Sequence, residues 1–378
     1  MDAQQRDFAR IARDIQRLCY AGLDGESLRS AAVERLGQGL EFDAYCCFTA
    51  DPISQFFTHT IFGGERTLSE LDHFIQQVCF EDDINEYTWI VRSRRPVALL
   101  SDGVGGHLDR SLCYREILRP RGHAHQARCV FMTRQELWGG LELTRDRKRA
   151  DFDADEVALL TRITPHLGVG LKSAALRGLT DVGALPSTEL PGDMPGMLTL
   201  DQRQRIVSCT SAAERWLREL GWPASDRDDA TRLPLSVRVL LRALGQSLAP
   251  SSEADTLRIP RISVQTSSGR WLSLVADAAL AQGDTPPLTM VLIEPLGPHE
   301  ATWLRRTAYN LTPREQEVVE LVAHGLATRE IAKALYVTEY TVQEHLSHIF
   351  DKVGVRGRRS LLKRLFFDSI SDGSQAPQ

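Results

Sequence analysis

LTPREQEVVELVAHGLATREIAKALYVTEYTVQEHLSHIFDKVGVRGRRSLL, residues 311–362, spells four short helices separated by three breaks. Its opening, Thr312-Pro313-Arg314-Glu315, combines an N-cap hydroxyl, a proline at the first helical position and a glutamate placed to reach back to the N–H of the cap. That helix carries Val318, Val319 and Val322 on one face and should stop at Gly325, because glycine accepts a left-handed conformation at the least cost. A second helix starts near Thr328 and buries Ile331, Ala332 and Leu335 before the break Tyr336-Val337-Thr338. Thr338 then caps a third, in which Val342, Leu346, Ile349 and Val353 recur at steps of four, three and four, one stripe at the helical period. A fourth would bury Leu361, Leu362 and Leu365. Four helices closing one core in this order predict an all-α helix-turn-helix domain over 311–368, with 369–378 as a disordered tail.

The face of the third helix opposite its stripe holds Tyr340, Glu344, Ser347 and Asp351, flanked by Thr341, Gln343 and His348. A recognition helix reads base edges with its N-terminal turns, so Thr341, Gln343, Glu344 and Ser347 are the candidate readers. Thr338, Tyr340 and His348 line the same approach, Tyr340 at the backbone or groove wall. A basic tail follows: Lys352, Arg356, Arg358, Arg359, Lys363 and Arg364 have no acid among them, which suits phosphate contact. The candidate DNA-binding set is therefore Thr338, Tyr340, Thr341, Gln343, Glu344, Ser347, His348, Lys352, Arg356, Arg358 and Arg359.

In these residues the chain resembles the LuxR-type (GerE-like) DNA-binding domain of bacterial transcription regulators. The likeness is carried by Leu311 to Glu315, Gly325, Glu330-Ile331-Ala332, Val337, Thr341-Val342, His345-Leu346, Ile349-Phe350 and Lys352 to Val355, in order, over about a sixth of the chain. It implies double-stranded DNA as partner and RNA polymerase as a possible further one. The chain departs from the family at Tyr340 and Gln343, where many members have lysines that touch phosphate or bases. From Arg314 to Arg364 there are nine bases against seven acids, so the domain is only slightly basic. Affinity for random DNA should then be modest, and a homodimer important.

The rest of the chain frames this domain. At 378 residues with 42% apolar content it can fill two or three cores, and its net charge of −5 argues against a protein that coats nucleic acid along its whole surface. Seven cysteines, an odd set without disulfide spacing, no apolar run near the ~20 residues of a membrane helix, and no charged-then-apolar leader predict a reduced, cytoplasmic protein without a membrane segment.

Residues 1–178 read as one α+β domain. Amphipathic stretches at 6–20 and 25–38 precede strand-like runs at 42–48 and 56–61, a helical pattern over 68–80, and further strands at 96–100, 127–132 and 138–143. Asp153 is placed to cap a closing helix whose stripe is Val157, Leu160, Ile163 and Leu167. The element order, with Trp138-Gly139-Gly140-Leu141 and Phe152-Asp155-Glu156, resembles a GAF domain, a small-molecule sensor fold. Residues 179–196, rich in proline and glycine, read as a linker. In 197–296, a hairpin at 197–207, a capped helix from Ser211 and strands at 262–265, 271–276 and 289–293 are similar to a PAS domain, although the usual asparagine before that helix is absent. Residues 297–310, with Trp303 and Leu304, read as a connector helix. The expected architecture is thus multidomain: two α+β sensor domains, GAF-like and PAS-like, then the helical DNA reader.

No catalytic motif is present, so no enzyme is expected. His107, Cys113, His123, His125 and Cys129 could in principle bind zinc or iron, but their spacing matches no compact finger and no metal or cofactor is predicted. Cys46 and Cys47, adjacent on a strand, point to opposite faces, and one of them should be buried. The expected function is a bacterial DNA-binding transcription regulator responsive to an unknown small-molecule ligand or other signal through its N-terminal domains. The alternative is a signalling adaptor whose last domain only pairs with proteins.

Overall fold

The computed structural model describes residues 3–64, 84–134, 136–180, 194–223, 233–248, 259–279, 287–297, 304, 309, 311–362 and 364–365. The helix expected over 68–80 and the tail over 369–378 lie outside the described residues, as do most of the linker expected over 179–196 and of the connector over 297–310. The chain divides into two compact units, Met1–Ala175 with Met194–Pro295, and Leu176–Asp193 with Leu296–Gln378.

The first unit opens with helices α1 (Ala3–Cys19) and α2 (Gly25–Leu36), the second capped by Asp24, whose carboxylate accepts from the Glu26 and Ser27 amides. An antiparallel sheet follows: β1 (Ala44–Ala50), β2 (Phe57–Gly63), β3 (Val97–Leu99), β4 (His123–Thr133) and β5 (Glu136–Asp146), arranged 2-1-5-4-3. Between strands lie α3 (Tyr87–Ser93) and α4 (Leu100–Val104), and α5 (Ala154–Thr180) closes the run. Asp153 accepts from the Glu156 amide as expected of a cap, and Glu156 returns the bond to the Asp153 amide.

Both faces of this sheet are covered. On one, Cys46, Phe48 and Val130 pack with Tyr87 and Ile90 of α3, Leu100 and Val104 of α4, and Ile117. On the other, Arg29 of α2 donates to the Cys47 carbonyl at 3.0 Å, and α5 lies directly on β4. A Cβ at Gly168 of α5 would stand 2.5 Å from the Met132 carbonyl oxygen, so glycine is what permits that approach. Double coverage corrects one expectation: Cys46 and Cys47 do face opposite ways, yet both are buried, at 1% and 2% exposure. Burial pushes the Cys47 thiol up to about 12, out of the reactive range. Among the described residues no three His, Cys, Asp or Glu side chains gather as a metal site.

The second sheet, β6 (Gly196–Leu200), β7 (Ile206–Cys209), β8 (Arg261–Gln265), β9 (Trp271–Ala278) and β10 (Thr289–Pro295), repeats the arrangement of the first, in the order 7-6-10-9-8. Between β7 and β8 lie α6 (Ser211–Glu219), capped by Thr210 rather than by Ser211, and α7 (Leu235–Ser247). Leu198, Leu200, Trp216, Leu217, Leu240, Leu244, Ile262, Leu274 and Val291 form its core.

Helix α7 was not expected from the sequence, and it decides the architecture of the unit. Val237, Leu240, Leu241 and Leu244 belong to the second core, whereas Val239 is buried in the first, among Phe48, Phe57 and Tyr87. A helix apolar all round is one that is buried all round. The two sheets are therefore welded into one body rather than strung apart. Polar ties reinforce the seam: the Ala175 carbonyl accepts from Trp271 Nε1 at 3.1 Å and from Gln265 Nε2 at 3.2 Å. Asp51 is buried and accepts from the Ser263 amide at 3.0 Å, the Ile53 amide at 3.1 Å and the Ser54 hydroxyl at 2.7 Å. Burial pushes its carboxyl up, against the pull of those hydrogen bonds. Asp51→Ala should cost about 1–3 kcal/mol, because the Ser263 N–H loses its acceptor inside the seam. Urea unfolding of the whole chain measures the cost, and amide exchange should quicken first at Ser263; unchanged exchange there would count against the tie.

The second unit contains α8 (Pro313–Ala323), α9 (Thr328–Leu335), α10 (Glu339–Val353) and α11 (Arg358–Leu362). Val318, Val319, Val322, Ile331, Val342, Leu346, Ile349, Val353, Leu361 and Leu365 form one core with Leu311. The fold class expected from the sequence, α+β sheets followed by an all-α helix-turn-helix, is the one observed.

Candidate nucleic-acid interface

Two caps place α8 and α10. Thr312 and Glu315 close a reciprocal box at the start of α8: the Glu315 amide donates to Thr312 Oγ1 at 3.1 Å and the Thr312 amide to Glu315 Oε2 at 2.6 Å. Thr338 caps α10 by accepting from the Thr341 amide at 3.1 Å. With Val342, Leu346, Ile349 and Val353 all buried, the helix can present only its other side. Tyr340, Gln343, Glu344, Ser347 and His348 are exposed there, along with Asp351.

Thr341 is half-buried and its hydroxyl lies 2.9 Å from that of Thr338. These two threonines shape the start of the helix, and the six exposed side chains form its outer surface. At the α9–α10 turn the backbone makes a costly choice. Tyr336 ends α9 in the left-handed region, φ 54 and ψ 44, and is 94% exposed. A non-glycine residue there costs roughly 1–2 kcal/mol. In the sequence this position reads only as a break, because neither glycine nor asparagine stands there to mark a left-handed residue.

The basic tail divides in two. Lys352 Nζ lies 2.7 and 2.6 Å from the two carboxylate oxygens of Glu315, so it clamps the end of α10 onto the start of α8. Arg358 donates to the Leu326 carbonyl at 2.7 Å and to Thr328 Oγ1 at 3.0 Å, pinning α11 to the α8–α9 turn. Both cations expected on phosphate are thus bonded inside the bundle. Arg356 and Arg359 are exposed and form no ion pair among the described residues, and the same holds for Arg329 and Lys333 on α9. Lys363 lies outside the described residues.

Burial alone would raise the Glu315 carboxyl, but the Lys352 ammonium and the Thr312 hydrogen bonds outweigh it and hold the group below the usual glutamate range. The clamp is therefore charged at neutral pH. A bundle so fixed offers a neutral-to-acidic helix face flanked by a few free cations, a surface that suits groove reading with modest help from phosphate.

The sequence family described as "Bacterial regulatory proteins, luxR family" matches residues 309–364. The spore germination protein GerE of Bacillus subtilis is 44% identical over 55 residues, 15% of this chain and 74% of that protein. The nitrate/nitrite response regulator NarL of Escherichia coli K12 is 40% identical over 76 residues, 18% of this chain and 35% of that one. A putative HTH-type transcriptional regulator of Mycobacterium tuberculosis H37Rv is 47% identical over 53 residues, and there this chain spans only 6% of the relative's length. Among solved structures, the GAF domain of a phosphoenolpyruvate-protein phosphotransferase from Coxiella burnetii covers 46% of this chain and 98% of its own, at TM-score 0.34 and 18% identity, a likeness too slight to carry a ligand across. The family match, the capping box and the buried stripe meet on the same residues: through its C-terminal domain, the chain belongs to the LuxR family of bacterial regulatory proteins.

Proposed function

We propose that this protein is a DNA-binding transcription regulator, in which α10 reads the major groove and the N-terminal α+β unit responds to a small molecule or other signal. The observation that carries the reading is the outward face of α10, polar and, among the described residues, without side-chain hydrogen bonds at Gln343, Ser347 and His348, on a helix whose inner stripe is buried. Gln343, Glu344 and Ser347 would meet base edges, and Arg356 and Arg359 would meet phosphate. One such helix with so few free cations makes few contacts, so a homodimer reading two half-sites about one DNA turn apart completes the site.

The test is salt dependence on a duplex selected from a random library by the full chain. Alanine at Arg356 and Arg359 should flatten the slope by about one unit per contact and weaken all sequences alike. Arg358→Ala should instead leave the slope alone and lower the stability of the domain. Equal slopes for all three variants would remove the phosphate role, and failure to select any duplex would favour a domain that only pairs with proteins.

A signal can act only through differential affinity for two arrangements of the chain, with coupling usually of about 5–150-fold. Comparing operator affinity of the full chain with and without small-molecule cell extract tests this. Identical affinity under every condition would make the N-terminal unit a scaffold.

A further inference from the structure

Three helices of the C-terminal unit run into a left-handed residue, and two of those residues are glycines, Gly325 at φ +81 and Gly354 at φ +72. Neither has any atom within 4 Å of where a Cβ would stand, so the backbone angle alone, not crowding, asks for glycine there. The third is Tyr336, under the same demand: the Val337 amide bonds back to the Ala332 carbonyl at 3.0 Å, which requires the left-handed turn. Glycine or asparagine would meet it more cheaply. Among the described residues the ring gains little in return, being 94% exposed, the most exposed of the large apolar side chains described. Of the six described non-glycine residues at positive φ it is the one aromatic, the others being Gln55, Asn85, Arg94, Arg134 and Gln204.

Position gives the strain a direction. Tyr336 stands two residues before the cap Thr338, and Tyr340, 73% exposed, stands two after it. Between Lys333 and Lys352 the chain has no lysine or arginine, and Lys352 is held by Glu315. A phosphate backbone arriving at this end of α10 meets helix amides, hydroxyls and phenols, together with the cations of the preceding segment, the exposed Lys333, and Arg314, whose Nη2 donates to the Leu335 carbonyl.

We infer that Tyr336 is a DNA-contact residue, its phenol donating to a phosphate oxygen and its ring lying on the neighbouring deoxyribose at the lip of the major groove, with Tyr340 beside it. This rests on the reading of α10 as a DNA reader. A neutral donor displaces no counterion, so the contact adds affinity without steepening the salt dependence. Backbone strain kept at an exposed aromatic is the pattern of a residue held for its partner rather than for the fold.

The experiment uses the full chain and a duplex selected by it from a random library, with binding followed by fluorescence anisotropy over a range of salt. Tyr336→Gly should bind about tenfold more weakly at every salt concentration with an unchanged slope, a loss typical of one good contact. Its Val337 and Thr341 amides should meanwhile exchange more slowly, since the turn is relieved. Tyr336→Phe, which keeps the ring and loses the hydroxyl, should fall between the two. Wild-type affinity in Tyr336→Gly overturns the contact while leaving the DNA reading intact. Weaker binding with faster amide exchange also overturns it, since the tyrosine would then be holding the turn. If the wild-type chain selects no duplex, the DNA reading itself falls, and this contact with it.

Discussion

Glu142→Leu is expected to destabilise the N-terminal unit by about 3–5 kcal/mol, because it removes one partner of a buried ion pair. Glu142 and Arg128 sit opposite each other on β5 and β4, each 1% exposed, with Arg128 Nε 3.4 Å from Glu142 Oε2. Arg128 also donates to the Asn85 carbonyl at 3.0 Å and lies over the Tyr87 ring, 5.6 Å from its centroid. Burial, followed by the Glu142 charge, drives the Tyr87 hydroxyl far above its usual range, so it stays neutral. Leucine at 142 takes the carboxylate from beside a guanidinium that is almost fully buried. Arg128→Met combined with Glu142→Leu removes both charges and should recover most of the loss, since desolvation of the pair roughly cancels its attraction. Denaturant unfolding of the single and double variants decides the matter. A double variant as unstable as the single would mean that the Arg128 bond to the Asn85 carbonyl, not charge balance, holds this region.

The second large effect is expected at Glu315. Its carboxylate closes the cap of α8 and receives Lys352 from the end of α10, so one side chain ties these two helices together. Glu315→Ala should cost about 2–4 kcal/mol, from a lost cap together with a charged hydrogen bond. In a domain of this size that is most of the stability available, and the DNA binding proposed above should fail at 37 °C although no exposed side chain of α10 has changed. Glu315→Gln keeps an acceptor for the Thr312 amide and should lose about half as much. The folded carboxyl is held low, so its contribution is fully present above the unfolded value of about 4.3 and fades as pH falls through the lower, folded one. Wild type should therefore loosen below about pH 4 in this unit, and Glu315→Gln should lack that step. Amide exchange in α8 and α10 against pH reads both, and the same acid step in Glu315→Gln would assign the transition to another group.

Much of the C-terminal unit was legible because its signals are local. A cap hydroxyl, a proline and a glutamate three residues on act within one turn, and the stripe Val342, Leu346, Ile349, Val353 needs only the helical period to name a buried face. The first and second sheets were legible strand by strand, though β4 and β5 extend to eleven residues each, beyond their apolar runs, because pairing of His123 with Asp146 continues the ladder. Helix α7 escaped since amphipathic contrast is what marks a helix, and this one is apolar toward both cores.

The amino-acid sequence by itself determined where the C-terminal helices start and stop, which face of α10 looks outward, and the family to which that domain belongs, all consequences of interactions within a few residues of chain. What only the tertiary structure decided is which partner each polar group takes. Lys352 and Arg358 read as phosphate ligands until Glu315, 37 residues away, and the Leu326 carbonyl, 32 residues away, occupy them. Asp51 has no partner visible in the sequence, and Ser263, 212 residues on, donates to it in the fold. A charge is visible in a sequence, but its partner is fixed by packing between distant segments, and in this chain packing is what separates the cations that hold the fold from those that stay exposed at its surface.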